Sequence, residues 1–312
     1  MLRPLANGFT IPSLLVLLAV SCFATLGQTP AADGWMRVQS NDGEFSVEVP
    51  AKHRVFYNPD GFQISKNSND VLLKNMWMLS AVTEGTLISF EVYDADKRAM
   101  DALYDYDAFA KHGRKVSESK GPGVKIKQIV NRNDKYYSIR QFFSTKKHVY
   151  VLTTANRTGE VPPMRRFLDS VRITDTDSST ATDKNATRFS QLNATDIEVE
   201  FLEAGAVPTR KAVSDPKPVP PDPTVKPFVL IRGVRPSYVD AARASGTQGK
   251  VQLKLRLADD GFIPKLTVTR SLPDGLLRQA IFASIRTKFL PKEKNGVPVT
   301  VIVTMEFGFT IF

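Results

Sequence analysis

The sequence predicts an α+β protein: an N-terminal antiparallel-sheet α/β sandwich, joined by a Pro-rich linker to a small ββαβ module. Three observations predict it. Residues 250–258 alternate strictly, with Val251, Leu253, Leu255 and Leu257 apolar and Lys250, Gln252, Lys254 and Arg256 polar; that is the period of a strand with one buried face. Leu277, Ile281 and Ile285 recur every four residues, the stripe of an amphipathic helix. Between 208 and 227 the prolines Pro216, Pro218, Pro220, Pro221 and Pro223 make a semi-rigid polyproline spacer.

Taken in order, Arg3 and the apolar run 14–24 form the positive and hydrophobic regions of an export signal. The run is shorter than the roughly 20 apolar residues a membrane span needs. Thr25-Leu26-Gly27 places small residues for cleavage after Gly27, giving a signal peptide over 1–27. A second reading takes Leu18-Ala19-Val20-Ser21-Cys22 as similar to a lipobox, with Cys22 the lipidated first residue; a retained signal anchor is the third. Cys22 is the single cysteine, so neither an intrachain disulfide nor a cysteine metal cage can form.

Residues 35–175 read as one α+β domain. Phe45, Val47 and Val49 alternate before Pro50, and 71–83 and 87–93 are further strands. A helix over 96–112 sets Met100, Leu103, Tyr104 and Ala108 on one side. After Gly121-Pro122-Gly123, the runs 124–131, 135–143 and 147–155 are rich in β-branched and aromatic residues and read as strands. A helix over 159–171 tolerates Pro162-Pro163 in its first turn and turns Met164, Phe167, Leu168 and Val171 inward.

Residues 176–227 read as linker. The Ser/Thr/Asp-rich stretch 174–186 is expected to be disordered. The stretch 187–207, with Phe189, Leu192, Ile197, Val199 and Phe201, is either a short strand pair docking on a neighbour or a stickier linker. The Pro-rich part reaches roughly 60 Å at about 3.1 Å per residue. In the module 228–312, Asp259-Asp260-Gly261 closes a hairpin and Asp274 is the expected helix N-cap. Pro291 ends any continuation of the helix. After the Asn295-Gly296 turn, a last strand sets Val299, Val301, Val303, Met305, Phe307, Phe309 and Ile311 on one face.

The formal net charge is +10. Residues 226–312 hold 14 Lys+Arg against 6 Asp+Glu, a local charge of +8. These cations lie along wet strand faces without a basic-aromatic recognition motif, which excludes nucleic acid as the expected partner. His53, His112 and His148 form no ligand pair in sequence, and no metalloprotease, nucleophile-elbow or phosphate-loop motif is present. Tyr104-Asp105-Tyr106-Asp107 point different ways around a helix, and Asp259-Asp260 belong to a turn. The reading is a binding protein, without catalysis, cofactor or metal.

One ordered set of residues resembles a known family. Arg235-Pro236-Ser237-Tyr238, Ala241-Ala242-Arg243, Gly249-Lys250-Val251, Asp260-Gly261, Leu272-Pro273-Asp274-Gly275-Leu276, Ala280, Phe289-Leu290-Pro291 and Asn295-Gly296-Val297-Pro298-Val299 are together similar to the C-terminal domain of TonB energy transducers. The family's usual Tyr-Pro pair stands here as Tyr238-Val239.

The resemblance implies an extended ligand, the TonB-box segment of an outer-membrane TonB-dependent receptor. By β-augmentation that segment would pair with Val299, Thr300, Val301, Ile302, Val303, Thr304, Met305 and Glu306. It also implies contact with inner-membrane motor proteins, and a place in the periplasm or cell envelope of a Gram-negative-type bacterium, exported and in one reading membrane-anchored. A second copy pairing through the same strand is the competing occupant. Three features depart from a transducer: 11–27 offers Ser13 and Ser21 where a motor-contacting helix carries polar residues, the Pro-rich spacer is short, and a folded domain interrupts the route. A secreted or lipid-anchored periplasmic interaction protein, using the module without energy transduction, is therefore the alternative. The opening Gly43-Glu44-Phe45-Ser46-Val47-Glu48-Val49-Pro50 and the ending Arg166-Phe167-Leu168-Asp169-Ser170-Val171-Arg172 resemble PsbP/Mog1-like α/β sandwich proteins.

Overall fold

A computed structural model describes residues 32–66, 69–94, 99–101, 103–104, 114–120, 124–173, 186–202 and 222–311. The expected signal with Cys22 and Gly27, most of the 96–112 helix, and the Pro-rich part of the linker up to residue 221 lie outside them. The described chain is mostly sheet with few helices.

At its centre is an eight-stranded antiparallel sheet. Its order is Arg54–Asn58, Asn69–Thr83, Thr86–Asp94, His148–Asn156, Tyr137–Ser144, Lys125–Arg132 and Arg114–Lys120, with Phe62–Lys66 also paired to Asn69–Thr83. The strand Thr86–Asp94 is buried from Thr86 through Tyr93, so both of its faces are covered. Ile88, Phe90 and Val92 point one way, toward a second, four-stranded sheet and the helix Pro162–Asp169. That sheet has the order Arg172–Ile173, Phe45–Pro50, Trp35–Gln39 and Thr187–Arg188. Aromatic rings fill this layer. Phe45 stacks on Tyr150 at 4.4 Å, Phe143 on Tyr150 at 5.0 Å and Phe90 on Phe189 at 5.3 Å. The helix opens on its two prolines, where missing N–H groups leave no intrahelical bond unmade, and buries Pro163, Met164 and Phe167.

The opposite face of the same sheet meets the C-terminal module. Leu73, Met76, Met78, Tyr93, Val149 and Val151 share one apolar cluster with Val251, Leu253, Leu255, Leu276, Ala280, Ala283 and Ile285. The helix Leu276–Ile285 therefore has sheet on two sides, which is why Gln279 and Ser284 are buried along with its apolar stripe. The expected boundary at 228 separates no two cores. At the centre of the junction Glu91, fully buried, faces three buried cations of the module. Arg232 Nη1 lies 3.2 Å from Glu91 Oε1, Arg286 Nε 3.2 Å from Oε2 and Lys288 Nζ 3.3 Å from Oε1. Tyr93 donates its hydroxyl to Glu91, and Arg286 Nε donates to the Tyr93 oxygen at 3.0 Å. Burial opposes the charge on Glu91, but Arg286, Lys288 and Arg232 prevail and hold its carboxyl well below the usual range.

Residues 186–202 follow the first of the two readings given for that stretch, short strands docking on neighbours, and they stitch the layers together. Thr187–Arg188 pairs in parallel with Trp35–Gln39, Ala194 bridges Val55, and Glu198–Phe201 pairs in parallel with Lys265–Arg270. The apolar residues of that stretch mark the strands, but their partners lie far away in sequence. A second fastening is Arg157, whose Nε lies 3.1 Å from Glu293 and whose Nη2 donates to the carbonyls of Pro227 and Pro291 at 2.7 Å.

The module itself follows the expected order of Gly249–Leu257, Lys265–Arg270, Leu276–Ile285 and Val301–Phe309. Its hairpin turn rests on the large sheet. Gly261 has φ 78, where an L side chain is strained, and a Cβ there would crowd the methyls of Leu87 at 2.9 Å and Val82 at 3.0 Å; the position favours glycine. Asp274 is not the N-cap. Gly275, at φ 81, holds that position, and Asp274 is itself left-handed at φ 57. This backbone carries its carboxylate to the end of the helix Asp240–Ser245, where it accepts from Ser245 Oγ at 2.6 Å and from Thr247 Oγ1.

Candidate functional site

The C-terminal sheet has the order Glu198–Phe201, Lys265–Arg270, Gly249–Leu257 and Val301–Phe309. Its two margins differ. Glu198–Phe201 already occupies the outer side of Lys265–Arg270. Val301–Phe309 pairs with Gly249–Leu257 on one side, and among the described residues no strand pairs with its other side. In an antiparallel strand alternate residues turn their N–H and C=O groups outward, so this margin presents a row of unspent backbone donors and acceptors.

The expected edge is corrected at one end. Asn295 and Gly296, at φ 53 and 78, turn the chain so that Val297–Val299 pairs back on Lys292–Lys294 in a separate small sheet. Thr300 is the crossing point between the two sheets, so Val299 and Thr300 lie off the edge strand. Val301, Ile302, Val303, Thr304, Met305 and Glu306 lie on it, and the strand continues to Phe309.

Along the strand, Val301, Val303 and Met305 are half-buried against the core. Ile302, Thr304 and Glu306 face out, and Ile302 is 72 % exposed. Ile302 and Thr304 thus turn away from the core. Beside Ile302 lies Arg256 and beside Thr304 lies Lys254, both exposed. With Lys265, Thr267, Thr300 and Val301 they line a groove of about 350 Å³ on the outer face of the sheet. Lys265 is held by Glu198 at 2.7 Å and Glu200 at 3.2 Å, and Lys250 by Glu306 at 2.6 Å. Lys254 and Arg256 have no ion-pair partner among the described residues.

A second concavity lies on the N-terminal side, lined among others by Asp42, Tyr57, Trp77, Asp94, His148 and Phe189, with a volume of about 510 Å³. Asp42, Glu44 and His148 are the group of three metal-ligand types found among the described residues. Glu44 already accepts from His148 Nδ1 at 2.8 Å, Thr145 Oγ1 at 2.5 Å and the Tyr150 hydroxyl at 2.8 Å. All three contacts fall on the same oxygen, Glu44 Oε1, and tie the neighbouring strands together. His53 donates from Nδ1 to the carbonyl oxygen of Pro50 in its own loop at 2.8 Å; His112 lies outside the described residues.

A small α/β module with a bare terminal strand belongs to the class of folds that can be extended by another chain's strand. Residues 234–311 match the family described as Gram-negative bacterial TonB protein C-terminal, and this part of the chain is a TonB C-terminal domain. Among curated proteins none matches the chain. A crystal structure from Bacteroides thetaiotaomicron VPI-5482 is similar over 46 % of this chain and 50 % of its own, at 8 % identity and a TM-score of 0.27. The present chain thus spans half of that structure's length. No helix among the described residues is long and apolar enough to cross a membrane.

Proposed function

We propose that this is a TonB-like cell-envelope binding protein whose C-terminal domain captures an extended segment of an outer-membrane receptor on the strand Val301–Phe309. The observation that carries the reading is the bare margin of that strand, set in a domain of the TonB C-terminal family. Backbone pairing supplies affinity, and half-buried Val303 and Met305 offer apolar seats to alternate ligand side chains. The test is titration of the full exported chain with receptor N-terminal peptides while following backbone amides by NMR. Shifts concentrated in 301–309, lost when the peptide backbone is N-methylated on its pairing side, are the expected result. Unmoved amides there would sink the reading.

One observation favours a version without energy transduction. The domain shares its core with the N-terminal sheet and is pinned by Glu91, Arg232, Arg286 and Lys288. A ligand on the edge strand is thereby held against a fixed body, as in an envelope interaction protein. Release of the module under binding, seen as increased hydrogen exchange in Leu276–Ile285, would instead favour the transducer.

A further inference from the structure

We infer that the segment taken up by the open edge is acidic, with carboxylates at alternate positions that reach Lys254 and Arg256. This rests on the strand-capture reading and specifies its ligand. Neighbouring strands lie about 4.8 Å apart, so an added strand would run roughly 10 Å from Gly249–Leu257. Lys254 and Arg256 stand on that strand, on the outer face, separated from the newcomer only by Thr304 and Ile302. Long cationic side chains laid across those residues meet carboxylates on the added strand's outer face. The two cations are two residues apart, and so must be the carboxylates, because side chains on one face of a strand recur with period two.

The charge pattern around the groove supports the choice of occupant. Lys265 and Lys250 on this face are neutralised by Glu198, Glu200 and Glu306, while Lys254 and Arg256, one strand in from the bare margin, have no ion-pair partner among the described residues. A second copy of this chain fits poorly: antiparallel edge-to-edge pairing would continue the sheet and bring Lys254 and Arg256 of both copies onto one face. The two pairs of cations would then lie three strand spacings apart, roughly 14 Å, and the second copy's edge strand would bring a single outward carboxylate, Glu306, which Lys250 already holds. On the inner face the half-buried Val301, Val303 and Met305 call for apolar partners, so the ligand alternates apolar and acidic residues.

The test uses the full exported chain and three synthetic peptides, alternating Val-Glu, Val-Thr and Val-Lys. The acidic peptide is expected to bind about five- to tenfold more tightly than the neutral one, and the basic one most weakly, as two exposed ion pairs allow. The gap should close near 1 M salt, where the screening length falls to about 3 Å. The exposed double variant K254E/R256E should reverse the order without changing the fold, and K254Q/R256Q should abolish the preference. Equal binding of all three peptides, with amide shifts in 301–309, would overturn the acidic inference and leave edge capture standing. Absence of shifts with any peptide would remove both. Light scattering that shows a dimer dissociated by these peptides would overturn the argument against a second copy.

Discussion

On one face of the strand Thr86–Asp94, Ile88, Phe90 and Val92 meet apolar and aromatic side chains; on the other, Glu91 meets two guanidiniums and an ammonium at 3.2 to 3.3 Å. Both faces are dry. The first holds the N-terminal layers by area and shape, and is satisfied by apolar side chains of similar volume. The second is selective, because three buried cations around one carboxylate are tolerable only when the TonB-like domain sits in a single position. Buried ion clusters are a poor source of net stability, and breaking them is expensive. The difference teaches that one sheet can be sealed on one side by hydrocarbon and keyed on the other by charge.

The sharpest way to break this comparison is Glu91→Gln. It preserves shape and removes the carboxylate charge that Arg232, Arg286 and Lys288 share. Stability should fall by about 3–5 kcal/mol, read by urea unfolding, and hydrogen exchange should rise first in Leu276–Ile285. A loss below about 1 kcal/mol would show that the cluster does not key the junction. Phe90→Ala on the opposite face should cost about 3–4 kcal/mol through the lost ring and residual cavity. Its effect should be independent of pH between 6 and 9, unlike any change in the ionic face.

How much of this was legible in the sequence differs by region for physical reasons. In the module, Val251, Leu253, Leu255 and Leu257 are all buried while Lys254 and Arg256 are exposed, as the alternation predicts, because a strand's period and a hairpin's turn chemistry are local. Glu198–Phe201 was hard to place because its parallel partner lies 67 residues on, as in the contact of Glu198 with Lys265. Glu91 sits in an apolar strand whose cations arrive 141 and 195 residues later, with Arg232 and Arg286. The edge strand was read nearly in full, but its vacancy depends on where every other strand goes. Lys254 and Arg256 were visible only as members of a wet face; that neither has an ion-pair partner among the described residues required the fold.

Lys288 gives a smaller, pH-resolved test of the ionic face. Burial lowers its pKa, Glu91 raises it and Arg232 lowers it again, leaving it near 8 against an ordinary 10.5. Between about 8 and 10 the unfolded chain binds this proton and the folded chain does not, so stability should rise with pH, by about 3 kcal/mol at most. Above about 10 Tyr93, whose pKa is raised by burial, reverses the trend, since only the unfolded phenol then ionises. Lys288→Met should flatten the rise and change stability at pH 7 by no more than about 1 kcal/mol, in the stabilising direction. Marked destabilisation at pH 7 would mean that the third cation is needed for the key.

The smallest effect belongs to the rim of the hydrocarbon side, where His148 meets Glu44 at 2.8 Å and Asp94 at 3.2 Å. Burial disfavours the imidazolium, but the Glu44 hydrogen bond and the charges of Glu44, Asp42 and Asp94 prevail and raise its pKa. Glu44 is lowered: burial pushes it up, and the hydrogen bonds from His148, Thr145 and Tyr150 outweigh that. The His148 contribution is therefore complete below the unfolded value of about 6.5 and lost as pH climbs through the folded one; that of Glu44 is present above about 4.5 and lost as pH falls. Together they predict a shallow stability plateau between those two values. His148→Gln should remove about 1 kcal/mol at pH 6 and much less at pH 8.5, measured by paired urea titrations. An equal loss at both pH values would mean that the ring works there by packing on Tyr150 and not by its charge, and the two faces of the sheet would then differ more completely than proposed.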